Sequence, residues 1–274
     1  MSHRRVILLF LALVLVSLPG SGLAAQAEEP WKEANDAGLA AYEQGHLKLA
    51  EVLLLEAVEH TQSFSAHDPR RATCFNNLAA VYRAQGKLAQ AEPLFETTLA
   101  IVENALGPEH LAVAVALNNL AEAYVAQGKY AHAEPLHLRA LAIKAKFLAP
   151  DHPSLATTLN NLGLLYHRQG RYPSAEEFYF SALRIRAAQG LGYEPATVQV
   201  LNNLGLLFSE QGRYREAEPF LRQALETRLR LDGTDPRAIV HSLENYASLL
   251  RQLDRATEAE TYEARAQTLR SQLH

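Results

Sequence analysis

The stretch Leu159-Asn160-Asn161-Leu162-Gly163-Leu164-Leu165-Tyr166-His167-Arg168-Gln169-Gly170-Arg171-Tyr172-Pro173-Ser174-Ala175-Glu176 decides the fold. Leu159, Leu162, Gly163 and Tyr166 fall on one face at helical spacing. Pro153-Ser154 upstream supplies a helix start, with Ser154 as the expected N-cap. Gly170 ends that helix, because glycine reaches positive φ at low cost. Tyr172 and Ala175 open a second helix, continued by Tyr179, Ala182 and Leu183. Small side chains at Gly163, Ala175 and Ala182 let the two helices approach closely.

The same unit recurs along the chain. Asn76-Asn77-Leu78, Asn118-Asn119-Leu120, Asn160-Asn161-Leu162 and Asn202-Asn203-Leu204 are spaced 42 residues apart, and Glu244-Asn245-Tyr246 is a degenerate next copy. Gly86, Gly128, Gly170 and Gly212 keep the same step, each preceded by Gln. Ala-Glu pairs follow at Ala91, Ala133, Ala175, Ala217 and Ala259. An earlier copy lies 41 residues upstream, with Asn35-Asp36, Gly38, Gln44-Gly45 and Ala50-Glu51. Several anchors in one register point to an all-α solenoid of six helix-turn-helix repeats, starting near residues 31, 72, 114, 156, 198 and 240. A propeller of similar period needs alternating strands and Trp-Asp signatures, and Trp31 is the only tryptophan.

Leu162, Gly163, Tyr166, Gly170, Tyr172, Ala175, Tyr179 and Ala182 together resemble the tetratricopeptide repeat. The 42-residue step, the Asn-Asn-Leu start, the Ala-Glu pair and His152-Pro153 look like its kinesin light chain subtype. HEAT repeats share the length and lack these anchors. The resemblance covers residues 31–274 and departs at the ends, with Ala41 for Tyr in the first repeat and Leu250 and Asp254 for Tyr and Gly in the last. It implies a right-handed superhelix whose concave side is lined by the first helix of each pair, and a non-enzymatic interaction scaffold.

The chain of 274 residues carries 26 basic and 30 acidic side chains, so clustered cations for nucleic acid are not expected. Its single cysteine, Cys74, excludes an internal disulfide and a Cys-rich zinc site. Cys74 aligns with Ala116, Thr158, Val200 and Ser242, so it reads as a small packing residue. His3-Arg4-Arg5, the apolar run Val6–Val16 and Ala25-Gln26-Ala27 have the order of a secretory signal peptide. The run is shorter than the roughly 20 apolar residues of a spanning helix. Residues 1–27 are therefore expected to be cleaved, leaving residues 28–274 with net charge −6, exported to the periplasm or secreted, without stable membrane insertion.

With Ala72, Ala114, Ala156, Val198 and Val240 as position 1, positions 4, 7, 8 and 11 form the packed face of each first helix. Positions 2, 5, 6, 9, 12 and 13 then face the other side. Position 6 holds Asn77, Asn119, Asn161, Asn203 and Asn245, and position 5 holds Asn76, Asn118, Asn160 and Asn202. An amide is both donor and acceptor. Two readings follow: the ladder bonds the backbone of an extended peptide, as the resemblance implies, or it holds the stack together. Arg83, Glu122, His167 and Arg168, with Leu164, Leu206 and Glu210, are the variable neighbours that would set specificity. Only Arg83 and His167-Arg168 could contribute to a carboxylate clamp.

Two charged columns, Lys144/Arg186/Arg228/Arg270 and Glu51/Glu92/Glu134/Glu176/Glu218/Glu260, read as partners of the helix dipole at opposite ends of the second helices. His132 and His137 superficially resemble a metalloprotease pair, but their spacing is five residues and Pro135 intervenes. No cofactor or metal is expected. The partner expected is a protein or peptide. The other reading open at this point is an assembly component of a cell-envelope complex, acting through its convex face or ends.

Overall fold

The structure is a computed structural model that describes residues 29–192, 194–231 and 235–272. The expected signal peptide lies outside the described residues. Every regular element among them is a helix. They divide into two compact units, residues up to Phe147 and residues from Leu148.

The first unit holds α1 (Glu29–Glu43), α2 (Leu47–His60), α3 (Pro69–Ala84), α4 (Leu88–Leu106), α5 (Leu111–Ala126) and α6 (Tyr130–Phe147). The second holds α7 (Pro153–Arg168), α8 (Tyr172–Ala188), α9 (Pro195–Glu210), α10 (Tyr214–Arg230), α11 (Pro236–Gln252) and α12 (Ala256–Ser271). Odd-numbered helices pair with the even-numbered helix that follows, giving consecutive helix-turn-helix pairs.

The turns inside the pairs are set by backbone conformation. Gly45, Gly86, Gly128, Gly170 and Gly212 all have φ between 71° and 81°. In the last pair Asp254 takes the same place at φ 60°, a left-handed conformation that Asp tolerates better than most residues.

The helix starts differ from the expected Ser cap. His152 Nδ1 accepts from the Ser154 backbone N–H at 3.1 Å, so His152 is the cap and Pro153 the first helical residue. His110 repeats this on Ala112 at 3.1 Å, and Asp68 and Asp235 do so with carboxylates. The imidazole can cap because its neutral form has one nitrogen lone pair. This explains the His-Pro and Asp-Pro linkers: the cap precedes a proline that needs no N–H partner.

Pairs close on small residues. Ala79 and Ala121 are fully buried, as are Ala91, Ala133, Ala175 and Ala217 on the second helices. In the first unit a core of Ala72, Ile101, Val102, Val113, Leu117 and Ile143 joins two pairs. In the second, Val198, Leu201 and Ala224 make a core flanked by Leu183 and Phe220.

Candidate functional site

The Asn pairs form an inter-repeat spine. In the first unit Asn77 Nδ2 donates to Asn35 Oδ1 at 2.8 Å, and Asn119 Nδ2 donates to Asn76 Oδ1 at 2.7 Å. In the second, Asn203 donates to Asn160 at 3.1 Å and Asn245 to Asn202 at 2.9 Å. The second Asn of one repeat thus gives to the first Asn of the preceding repeat. Of the two consecutive amides, the second gives backward and the first receives from ahead.

Asn76, Asn77, Asn118, Asn119 and Asn160 are at most 5% exposed. Asn161, Asn202, Asn203 and Asn245 are half-buried. Positions 5 and 6 therefore do not lie opposite the packed face, as helical spacing alone suggested. Inside a stack a first helix has three neighbours. α5 packs on α6, α4 and α3, and is buried at Asn118 and Asn119 as well as at Leu117, Leu120, Ala121 and Tyr124.

Asn118 Oδ1 also lies 2.8 Å from His137 Nδ1, a fully buried imidazole on α6. Burial, with Lys144 acting in the same sense, pushes its pKa down to about 4 against the opposing pull of Glu122. His137 is a neutral core residue and is not poised as a metal ligand. The signal for that was in the sequence: Phe95, Tyr179 and Leu221 hold the same register in other repeats. Among the described residues no group of three or more His, Cys, Asp or Glu side chains is arranged to hold a metal ion.

The remaining candidates form pairs across neighbouring first helices. Arg83 of α3 is ion-paired with Glu122 of α5. Burial opposes the Arg83 charge, and the Glu122 carboxylate outweighs it, so its pKa is raised. In the second unit His167 Nε2 of α7 lies 2.9 Å from a Glu210 carboxylate oxygen of α9, while Arg168 is exposed. Half-buried Val115 and Val125 lie on the helix of Glu122, Leu164 on that of His167 and Leu206 on that of Glu210. Each unit thus sets partly buried apolar side chains on the same helices as a charged pair.

The Glu column has a different cause from the one expected. Glu51 is the fifth residue of α2, beyond the first turn, and accepts from Gln85 Nε2 at 2.8 Å and Lys87 Nζ at 2.7 Å. Those bonds hold its pKa below the usual carboxylate value. Glu92 repeats this with Gln127 and Lys129, both at 2.7 Å. Glu176 takes Arg213 at 2.8 Å and Glu218 takes Arg255 at 2.6 Å. Glu51, Glu92, Glu176 and Glu218 thus clasp one repeat to the turn of the next. The basic column stands in the last turn of its helices, where the dipole reading put it, and it also packs: Arg228 donates at 2.8 Å to the Ala238 carbonyl and to Ser242 Oγ, on the next first helix. Arg186 and Lys144 are buried.

A tetratricopeptide repeat family model matches residues 34–101, 70–146, 133–188 and 154–230, and a second model of the same description matches 202–273. No curated protein matches the sequence at a significant level. Among solved structures, BtubC (BKLC) from P. vanneervenii superposes with a TM-score of 0.70 at 23% identity, over 83% of this chain and 92% of that one. A putative kinesin light chain with nearly identical repeats from P. anserina gives 0.60 at 25%, over 75% and 99%. PilF of Pseudomonas aeruginosa gives 0.58 at 20%, over 89% and 93%.

Proposed function

Because the chain belongs to the tetratricopeptide repeat family, we propose that it is an exported, non-catalytic scaffold for protein–protein interaction. Its first-helix face takes an extended segment of a peptide or protein partner. One observation carries this reading: in the second unit the spine residues Asn203 and Asn245 keep part of their surface, and so does Leu206 on the helix of Asn203. Leu206 follows Asn203 by three residues, so the two share a helix face. The spine takes one amide donor from each Asn, and a primary amide has a second donor and further acceptor capacity. Those groups suit the backbone of an extended chain, while Leu164, Leu206, His167, Arg168 and Glu210 meet its side chains. In the first unit Asn77 and Asn119 are buried, and there the ladder serves by holding Arg83 and Glu122 in register.

Selection from a displayed library of short random peptides tests the proposal. An enriched sequence should lose binding to Leu206→Asp with helicity unchanged. Asn203→Ala separates the two roles of the ladder. Weaker peptide binding at unchanged melting temperature means that the amide contacts the peptide. A lower melting temperature with unchanged affinity means that it only holds the stack. Binding indifferent to Leu206→Asp would remove the face from the proposal.

Export rests on the order of His3-Arg4-Arg5, Val6–Val16 and Ala25-Gln26-Ala27. Among the described residues no helix is long and apolar enough to cross a membrane. Intact mass of the protein from its own cell should correspond to a chain beginning at Glu28. A mass that includes residues 1–27 would overturn cleavage.

A further inference from the structure

The outer face of α2 carries three exposed large apolar side chains, where the aligned face of any later second helix carries at most one, Leu138 on α6 and Phe180 on α8. Leu49, Val52 and Leu55 are 50%, 62% and 44% exposed, while Ala50, Leu54 and Ala57 face the core. The aligned positions are Gln90, Pro93 and Glu96 on α4, and Glu216, Pro219 and Arg222 on α10. The fold therefore does not require apolar side chains there. At 100° per residue Val52 lies at the centre of the face, with Leu49 and Leu55 about 60° to either side.

The flanking charges identify what covers it. Lys48 lies four residues before Val52 and Glu56 four residues after, and both are exposed. A twofold axis through Val52 brings residue 52−k of one copy onto residue 52+k of the other. Leu49 then meets Leu55, Val52 meets Val52, and Lys48 meets Glu56, twice over. Such self-complementarity is the requirement of an isologous interface.

We propose that α2 is a dimerisation helix, pairing antiparallel with α2 of a second copy of this chain about an axis through Val52. Three partly exposed side chains make a patch smaller than the roughly 800 Å² per partner of a standard interface, so a weak, concentration-dependent dimer is expected.

Sedimentation equilibrium of the chain purified from its own cell, over a concentration series, tests it. The expected result is a concentration-dependent dimer that Val52→Glu abolishes, since two carboxylates would face each other on the axis. Lys48→Glu and Glu56→Lys should each weaken it several-fold, because like charges then meet twice. An equimolar mixture of those two variants should recover wild-type association, as heterodimers, because each Glu pair of one chain meets the Lys pair of the other. All three positions are exposed, and circular dichroism checks that helicity is intact. A wild-type chain that stays monomeric to about 100 µM overturns the proposal. So does a dimer indifferent to Val52→Glu, which would use another surface. A mixture that fails to recover rejects the antiparallel pairing.

Discussion

Gly163 lies against the Tyr179 ring so closely that a methyl group on its Cα would stand 2.6 Å from two ring carbons. Gly205 has the same relation to Leu221, at 2.4 Å. Tyr179 is fully buried, so its ring has little room to move aside. Alanine would gain up to about 1 kcal/mol of helix propensity over glycine. Overpacking costs about 1–3 kcal/mol. Gly163→Ala is therefore expected to destabilise the protein, by about 1–2 kcal/mol net, read as a lower midpoint in urea with unchanged slope. An unchanged midpoint would mean that α7 and α8 separate freely.

The same ring carries a hydroxyl that is buried with no hydrogen-bond partner. Burial raises its pKa far above that of an ordinary tyrosine. A buried hydroxyl without a partner costs about 1–3 kcal/mol of desolvation. Tyr179→Phe should accordingly leave stability unchanged or raise it by about 1 kcal/mol. A clear loss of stability in thermal unfolding would show that the hydroxyl is hydrogen-bonded in solution.

The spine bond between Asn119 and Asn76 can be isolated by a double-mutant cycle. Asn119→Ala leaves the Asn76 Oδ1, on a residue 1% exposed, without its donor. The expected cost is about 1–3 kcal/mol. Adding Asn76→Ala should cost less than the sum of the single changes, with a coupling of about 1 kcal/mol. Strict additivity would deny the bond its role in holding the repeats together.

The helix pairs were legible because Leu162, Gly163, Tyr166, Gly170 and Ala175 each encode a local requirement: an apolar face, a close approach, a positive φ. The paired use of Asn76 and Asn77 was not, because it depends on which helix of the next repeat lies alongside. The same holds for Glu51. Its column was visible at the 42-residue step, and so was the column Lys87, Lys129, Arg171, Arg213 and Arg255. Only the stacking shows that the two columns clasp each other. The surface of Asn203 and Asn245 likewise follows from the neighbours of α9 and α11, not from their position on a helical wheel.

His137 makes stability depend on acid in a way that one substitution can remove. Its folded pKa of about 4 lies below the ordinary value of 6.5, because burial disfavours the imidazolium. Above pH 6.5 neither the folded nor the unfolded imidazole binds a proton, and the residue adds no pH dependence. Between pH 6.5 and 4 the unfolded chain binds one and the folded chain does not. Stability then falls as pH falls, by up to about 1.4 kcal/mol per pH unit from this residue. His137→Leu, which copies the aligned Leu221, removes the titrating group but leaves Asn118 Oδ1 without its ring partner. The variant should be less stable than wild type at pH 7.5, and the difference should shrink or reverse by pH 4.5. Urea midpoints of the two proteins across that range provide the check. Parallel curves would mean that the folded chain protonates His137 as readily as the unfolded one, and that the imidazole is reached by water.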